Sequence, residues 1–155
     1  MRPESRARGT AVHNMIQAHL TGQPTIAYLQ YAGFLTSFER FAQEQLDTYV
    51  FLEKRLHDPE YGYNGKPDGL LYLRTRDNGS YIGDWKTGGM QKTYPGQIAG
   101  YWHLARANGF DDCVGGFDLM LYPDGKAARP VFVNDIRLEF NYFLNALAAF
   151  KRYAA

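Results

Sequence analysis

The sequence predicts a single α/β (α+β) domain whose elements follow the order α, β-β-β, α, β-β, α. Three observations support this fold class: apolar residues at helical spacing near both ends of the chain, apolar residues at strand spacing between them, and short Asn-Gly or Asp-Gly runs that separate strands. A length of 155 residues is typical of one domain, so residues 1–155 are expected to share one core.

Residues 1–47 are expected to form a helical N-terminal part. Apolar residues recur at helical spacing through RARGTAVHNMIQAHL, TGQPT interrupts the pattern, and the spacing resumes from Ile26 to Leu46. Gly9 precedes His13 by about one helical turn, and a small residue there would let this helix lie close to a neighbouring element.

The pattern changes to strand spacing at Thr48, and residues 48–135 are expected to form the sheet. The runs TYVFLEKRLHD, YGYNGKPDGLLYLRTR and SYIGDWKTG predict three strands, the last two joined by a tight hairpin at Asp77–Gly79. A helix follows in QKTYPGQIAGYWHLARANG, and CVGGFDLMLY and RPVFVNDI predict two further strands joined at Pro123–Ala128. Residues 136–155 are predicted to form a final helix.

Composition excludes several classes of protein. The chain has 17 basic and 16 acidic residues, a net charge of +1, which gives no support for bulk electrostatic capture of nucleic acid, although a local basic lining would not show in the sum. No apolar run approaches the ~20 residues of a membrane span, so no membrane partner is expected. A single cysteine, Cys113, allows no internal disulfide, which favours a cytoplasmic location.

The run YIGDWKTG puts two opposite charges on one face of a predicted strand. Because side chains alternate between faces, Asp84 and Lys86 share a face while Trp85 points to the other. An isolated Asp-x-Lys is usually an ordinary surface ion pair, so its surroundings in the sequence decide how it is interpreted.

The predicted hairpin brings a second acid to this pair. Reflection about a turn near Arg76–Asn78 puts Asp68 opposite the segment from Asp84 to Gly88, so that two carboxylates and one ammonium converge. Burying such charges without compensation is costly, and a divalent cation held by both carboxylates would offset that cost. The sequence therefore indicates a cation site beside a lysine, suited to phosphate chemistry.

Five short motifs occur in a fixed order along the chain. They are His13 in RGTAVH, Glu53 in VFLEKRLHDPEYGYNGKPDGLL, Asp68 within the same run, Asp84 and Lys86 in DWKTG, and Gln97 and Tyr101 in QIAGY. Together they resemble the motifs of the PD-(D/E)XK nuclease superfamily, most closely its RecB-type branch and small phage exonucleases, over about residues 5–122. The resemblance implies a restriction-endonuclease-like core, a mixed central β-sheet of about five strands flanked by helices.

The resemblance also implies a cation site that holds Mg²⁺ or Mn²⁺. Asp68 and Asp84 would be ligands, with the backbone carbonyl of Trp85 as a third. His13 would be a further ligand, and the alternative for a lone histidine is a hydrogen-bonded residue of the interior.

The remaining motif residues would act on water and substrate. Lys86 would orient or deprotonate the attacking water. Gln97 and Tyr101 would position the substrate or Lys86 from the adjacent helix, against the alternative of a solvated glutamine and a packed tyrosine. Glu53, expected on the first strand, would have a supporting role or lie at the surface.

The function implied is a metal-dependent exonuclease that hydrolyses phosphodiester bonds at DNA ends in phage or bacterial recombination or repair. Its partners would be DNA and a single-strand annealing or binding protein. Two alternatives stay open: a structure-specific or restriction-type endonuclease with the same site, and a catalytically silent nucleic-acid-binding module. Cleavage of closed circular DNA would distinguish the two nucleases.

Contact with DNA would need a local groove, because the net charge is near zero. The basic candidates for that groove are Arg6, Arg8, Lys66, Lys92 and Arg106. Tyr94 and Trp102 are candidates for stacking on bases, although core packing is the expectation for most of the aromatic residues. The other histidines, His19, His57 and His103, are expected at the surface or at helix ends, and Cys113 is expected in the core.

Overall fold

A mixed five-stranded sheet lies between two layers of helices in the computed structural model, which describes residues 2–154. The helices are α1 (Pro3–Thr21), α2 (Ala32–Gln45), α3 (Tyr94–Ala107) and α4 (Ile136–Tyr153), with a 3-10 turn at Leu29–Tyr31. The strands are β1 (Leu46–Leu52), β2 (Leu56–Asp58), β3 (Tyr63–Gly65), β4 (Gly69–Leu73), β5 (Arg76–Lys86), β6 (Cys113–Met120) and β7 (Arg129–Phe132). The predicted fold class, α+β with a mixed central sheet of about five strands flanked by helices, is confirmed.

The order of strands in the sheet is β1-β4-β5-β6-β7. Strands β5 and β6 run parallel because α3 connects them, and the other neighbours are antiparallel. Strands β2 and β3 form a separate two-stranded ribbon. No helix within residues 2–154 is long and apolar enough to cross a membrane.

Each face of the sheet has its own hydrophobic core. Helices α1 and α2 bury Val12 and Phe38 against one face, where Trp85 of β5 packs edge-on against Phe38. Helix α3 buries Ile98 against the other face, where it meets Ile82 of β5. Each large apolar side chain buried in this way contributes about 1.5–3 kcal/mol of transfer free energy. The alternation of Ile82 and Trp85 between the two cores fixes the faces of β5.

The predicted hairpin at Asp77–Gly79 is wrong. The chain turns earlier, at Arg74–Thr75, and Tyr72 pairs with Ser80, so Asp77–Gly79 forms a bulge within β5. The glycine of this bulge has φ 146°, and a Cβ added to it would lie 2.3 Å from the carbonyl oxygen of Asp112. The absence of a side chain at this glycine therefore lets the segment before β6 pack closely against β5, and the glycine is not part of the turn.

Two predicted strands are each divided in the structure. The first gives β1 and β2, separated by Glu53–Arg55, and the second gives β3 and β4, separated by Lys66–Asp68. Glu53 has φ 46°, in the left-handed region, so β1 ends before it. The expectation that Glu53 lies on the first strand is therefore wrong. The predicted helices α3 and α4 and the connection between β6 and β7 are present.

The central strand β5 carries the candidate site at its C-terminal end. Gly69 of β4 pairs with Gly83, so Asp68, immediately before β4, lies beside Asp84. On the other side of β5, Asp84 pairs in parallel register with Asp118 of β6. Three carboxylates from adjoining segments thus follow one another across the sheet.

Candidate active site

Asp68 joins three segments of the chain through its buried carboxylate and its backbone carbonyl. Its Oδ2 accepts a hydrogen bond of 2.7 Å from the backbone N–H of Trp85, which fixes the segment before β4 against β5. Its Oδ1 lies 3.0 Å from Nδ1 of His13 on α1. Its backbone carbonyl accepts from the N–H of Glu53 at 2.9 Å. The predicted meeting of Asp68 with the end of β5 is therefore observed.

Asp84 and Lys86 share one face of β5, as the alternation of side chains predicts. Lys86 Nζ lies 2.5 Å from Oδ2 of Asp84 and donates a hydrogen bond of 3.0 Å to Oε1 of Gln97. Gln97 in turn donates to the hydroxyl of Tyr101 at 3.3 Å. The motif residues of α3 therefore form a chain that begins at Lys86.

The same ammonium also lies against an aromatic ring. Lys86 Nζ is 3.9 Å from the ring centroid of Tyr94, at the start of α3, which adds a cation–π contact. Burial raises the pKa of Tyr101 to about 12, so its hydroxyl keeps its proton at neutral pH and can donate it. These contacts hold Lys86 on several sides.

His13 lies between two oxygen acceptors. Its Nε2 is 2.8 Å from the carbonyl oxygen of Trp85, and its Nδ1 faces Asp68. Burial lowers the pKa of His13, but the charge and hydrogen bond of Asp68 outweigh burial and raise that pKa to about 9. Without a bound cation, the imidazolium form thus balances part of the negative charge. Gly9 is not needed for this approach, because a Cβ added there would contact nothing within 4 Å.

Glu53, for which a supporting role was predicted, lies beside His13 and Asp68. Ligand atoms of His13, Glu53 and Asp68 lie within 4.8 Å of one another. Two carboxylates and an imidazole suit a divalent ion such as Mn²⁺ or Mg²⁺, so these residues fit the cation that the sequence indicates. The left-handed backbone at Glu53 turns the chain there, immediately after β1.

Burial and mutual charge shift the acids in opposite directions. Burial and the nearby Asp68 raise the pKa of Asp84 well above its usual range. Burial also raises that of Asp68, but the hydrogen bond and charge of His13 outweigh it, so the pKa of Asp68 is lowered. Burial lowers the pKa of Lys86, but the charge and hydrogen bond of Asp84 outweigh burial, so the pKa of Lys86 is raised. Lys86 is therefore an ammonium in this arrangement.

The sequence analysis missed Asp118. This residue is 1% exposed, pairs with Asp84 across β5 and β6, and has an Oδ1 with no hydrogen-bond partner within residues 2–154. Burial raises its pKa to about 6, while the charge of Lys86 opposes the shift. The signal for it was a charged residue inside the apolar run GGFDLML.

All five predicted basic residues are exposed or partly exposed, and the four other than Arg106 lie on α1, just before Asp68 or just before α3. Arg8 on α1 donates through Nε to the hydroxyl of Thr87 at 3.3 Å, just after Lys86. Arg6 is exposed on α1, Lys66 is exposed two residues before Asp68, and Lys92 is exposed just before α3.

Arg106 does not belong with these residues. Its guanidinium donates to the carbonyl oxygens of Asp111 and Cys113, at 2.8 and 3.0 Å. Cys113 pairs with Ser80, at the opposite end of the central strands from Asp84 and Lys86. These bonds fix the loop between α3 and β6, so Arg106 lies apart from the candidate site.

The other predictions for single residues have mixed outcomes. Cys113 is buried as expected, and burial raises the pKa of its thiol to about 12. His19 and His57 are exposed, whereas His103 is half-buried within α3 and bonded at 2.9 Å to Asp58, so the prediction for His103 is wrong. Trp102 is buried in the core, which contradicts a role for it in stacking on bases.

The fold and the site together define an α+β protein with a candidate cation centre at the C-terminal end of its central strand. Comparison with models of known protein families gives no match, and no curated protein matches the chain. What the protein does must therefore be inferred from its own residues and their geometry.

Proposed function

We propose that the chain is a divalent-metal-dependent deoxyribonuclease of the PD-(D/E)XK type that acts on DNA ends. The observation that carries the proposal is the convergence of Asp68, Asp84 and Lys86 at the end of β5, with Nζ of Lys86 2.5 Å from Asp84. Two acids and a lysine at this spacing are suited to hydrolysis of a phosphodiester bond.

The residues that would hold the cation are His13, Glu53 and Asp68, with Asp84 and the carbonyl of Trp85 beside them. A divalent cation bound there supplies positive charge that polarises the phosphoryl group and stabilises charge on the leaving oxygen. The imidazolium of His13 faces the same oxygens and would give up a proton when it becomes a ligand.

Lys86 and the residues of α3 would act on the water and the phosphate. Asp84 and Gln97 hold the ammonium of Lys86 from two sides, which fixes the direction of its remaining donor. The raised pKa of Lys86 favours a role in orienting water and the scissile phosphate over acceptance of a proton. The hydroxyl of Tyr101, bonded to Gln97, is a further donor for a phosphate oxygen.

The preference for DNA ends, and a part in recombination or repair, follow from the resemblance of the motifs. An endonuclease with the same site is the nearest alternative, because the same groups would cut an internal bond. A catalytically silent binding module is disfavoured, because simple binding does not need two buried acids and a lysine in contact.

A digestion panel tests the proposal. The substrates are 5′- and 3′-labelled linear single strands and duplexes and a sealed plasmid, each with Mg²⁺, Mn²⁺ or EDTA. We expect metal-dependent loss of linear DNA, an intact sealed plasmid and no activity for Asp84→Asn. The control is Asp124→Asn, which removes one charge from an exposed loop.

The outcomes of this panel are distinct. Cutting of the sealed plasmid with loss of activity in Asp84→Asn would favour the endonuclease. Wild-type protein that degrades no nucleic acid with either metal would contradict a nuclease and leave the binding module.

A further inference from the structure

Asp118 is a buried carboxylate whose charge has no direct partner. Its side chain lies on the same side of the sheet as that of its neighbour Asp84, and it is 1% exposed. Within residues 2–154 it forms no salt bridge, and its Oδ1 accepts no hydrogen bond. Burying a carboxylate without hydrogen bonds or a salt bridge costs free energy. A buried carboxylate oxygen without a partner therefore suggests that a ligand or an ion binds there.

Asp118 is one of the residues that line a cavity of about 240 Å³, which we call the β6 cavity. It lies between the end of β6, the turn from β7 into α4, and the start of α3. Two further acids, Asp135 and Glu139, line it, together with Asn134 and Met90, and none of its lining residues is basic. Because three acids and no basic residue line the β6 cavity, it attracts a cation and repels an anion.

The groups nearest to the β6 cavity do not satisfy this charge. Lys86 is engaged by Asp84 and Gln97. Asp135 uses Oδ1 to accept from the N–H of Leu138 at 3.1 Å, as the N-cap of α4, which leaves its other oxygen free of bonds within the described residues. A water molecule alone would satisfy a hydrogen-bond acceptor but would add no positive charge to that of the nearby Lys86.

The size of the β6 cavity suits a hydrated ion. Water occupies about 30 Å³ per molecule in the liquid, so a volume of about 240 Å³ accommodates a cation with several waters. Mg²⁺ typically takes one or two carboxylates directly and keeps several waters, which Asp135 and Glu139 could bind at longer range.

We propose that Asp118 binds a hydrated divalent cation in the β6 cavity, at a site separate from the one formed by His13, Glu53 and Asp68. The two sites lie on opposite sides of Asp84, since Asp68 belongs to the β4 side of β5 and Asp118 to the β6 side. The proposal does not rest on the proposed function, because it concerns the binding of the ion alone.

Titration with Mn²⁺ tests the number of sites. Calorimetry would compare wild-type protein with Asp118→Asn, an isosteric change, and with the exposed-loop control Asp124→Asn. We expect wild-type and control proteins to bind a second Mn²⁺ that Asp118→Asn loses, or binds roughly tenfold or more weakly. Unchanged stoichiometry and affinity in Asp118→Asn would overturn the proposal.

Paramagnetic broadening by Mn²⁺ tests the location. In Asp68→Asn, which removes a ligand of the first site, we expect Mn²⁺ still to broaden the amide signals of Val133 and Asn134, which line the β6 cavity. Loss of that broadening would show that the ion seen there belongs to the first site, against the proposal. If Asp118→Asn does not fold, Glu139→Gln should weaken this broadening and leave the fold intact, whereas unaltered broadening would contradict a site in the β6 cavity.

Discussion

Two histidine–aspartate pairs in the described part of the chain have almost the same geometry but different surroundings. His13 and Asp68 are 3.0 Å apart, and His103 and Asp58 are 2.9 Å apart. In both pairs the aspartate is buried and the histidine partly exposed, with side-chain exposures of 27% for His13 and 22% for His103. Distance and burial alone would not distinguish a site from a structural contact.

The neighbours of each pair make the difference. The first pair faces further oxygens, those of Glu53 and the carbonyl of Trp85. The ring of His103 stacks at 4.4 Å on Phe140, and its aspartate also accepts from the backbone N–H of Glu60. The second pair is thus satisfied by protein groups and fixes the β2–β3 ribbon to α3, whereas the first retains oxygens that a cation can use.

The largest expected effect comes from removing the acid of each pair. Asp68→Asn should lower the rate of metal-dependent cleavage roughly 10³-fold or more, which corresponds to a loss of several kcal/mol of transition-state stabilisation. Asp58→Asn should retain cleavage but lose a charged hydrogen bond worth about 1.5–3 kcal/mol, which would lower the melting temperature. Cleavage assays and thermal melts on both variants check this. Equal loss of cleavage in the two would contradict the distinction between the pairs.

Removing the histidines should separate metal affinity from stability. His13→Ala should weaken Mn²⁺ binding at the first site by roughly 10–100-fold, since it removes a ligand. His103→Ala should leave Mn²⁺ affinity unchanged and lower stability, because it loses the stacking on Phe140 as well as Asp58. Calorimetric titration and denaturant unfolding measure the two effects. Weaker binding in His103→Ala would mean that the second pair also reaches the metal.

The pH dependence of stability in EDTA should identify the imidazolium of His13. Its pKa is raised in the folded protein to about 9, from an unfolded value of about 6.5. The pair therefore stabilises the fold fully below pH ~6.5, and this contribution is lost as the pH rises through about 9.

Denaturant unfolding from pH 6 to pH 10 provides the measurement. The difference in unfolding free energy between wild-type protein and His13→Gln should shrink as the pH rises, with His103→Gln as a reference for replacing a histidine. A difference that stays constant across this range would rule out the raised pKa.

The smallest expected effect concerns two tyrosine hydroxyls on or near α3. Tyr101→Phe removes a group bonded to Gln97, and a hydrogen bond worth about 0.5–1.5 kcal/mol predicts a rate roughly 2–10-fold lower. Tyr63→Phe removes a hydrogen bond of 2.8 Å to the carbonyl of Gly100, near the second pair, and should affect stability alone. Single-turnover cleavage and thermal melts would test both. A slower rate for Tyr63→Phe would extend the functional region beyond the first pair.

Local periodicity predicted the central part of the site. Asp84 and Lys86 share a face because strand side chains alternate, and this holds wherever the strand begins. The meeting of Asp68 with Asp84 was predicted from a misplaced turn. The prediction of this contact was still correct, because the extra residues of the bulge in β5 compensate for the earlier turn. Gly69 and Gly83 therefore pair at equal distances in sequence from Arg76, as the predicted turn required.

The residues that the sequence analysis missed or misplaced depend on contacts between distant segments. Glu53 itself adopts the left-handed conformation that turns the chain after β1 and brings it to the site. No apolar pattern in the sequence indicates this conformation. Asp118 reaches it through the register of a parallel pair, which is set after the crossover through α3. His103 was placed at the surface because its partner Asp58 lies on a ribbon that the strand pattern did not separate from β1.

The candidate centre draws on four stretches of chain that lie far apart in sequence: α1, the turn after β1, the segment before β4, and the end of β5. Each stretch supplies only one or two ligands, so none of them alone would retain a divalent ion. A partly folded chain therefore has no assembled cation site, and any chemistry that depends on the cation requires the complete tertiary structure.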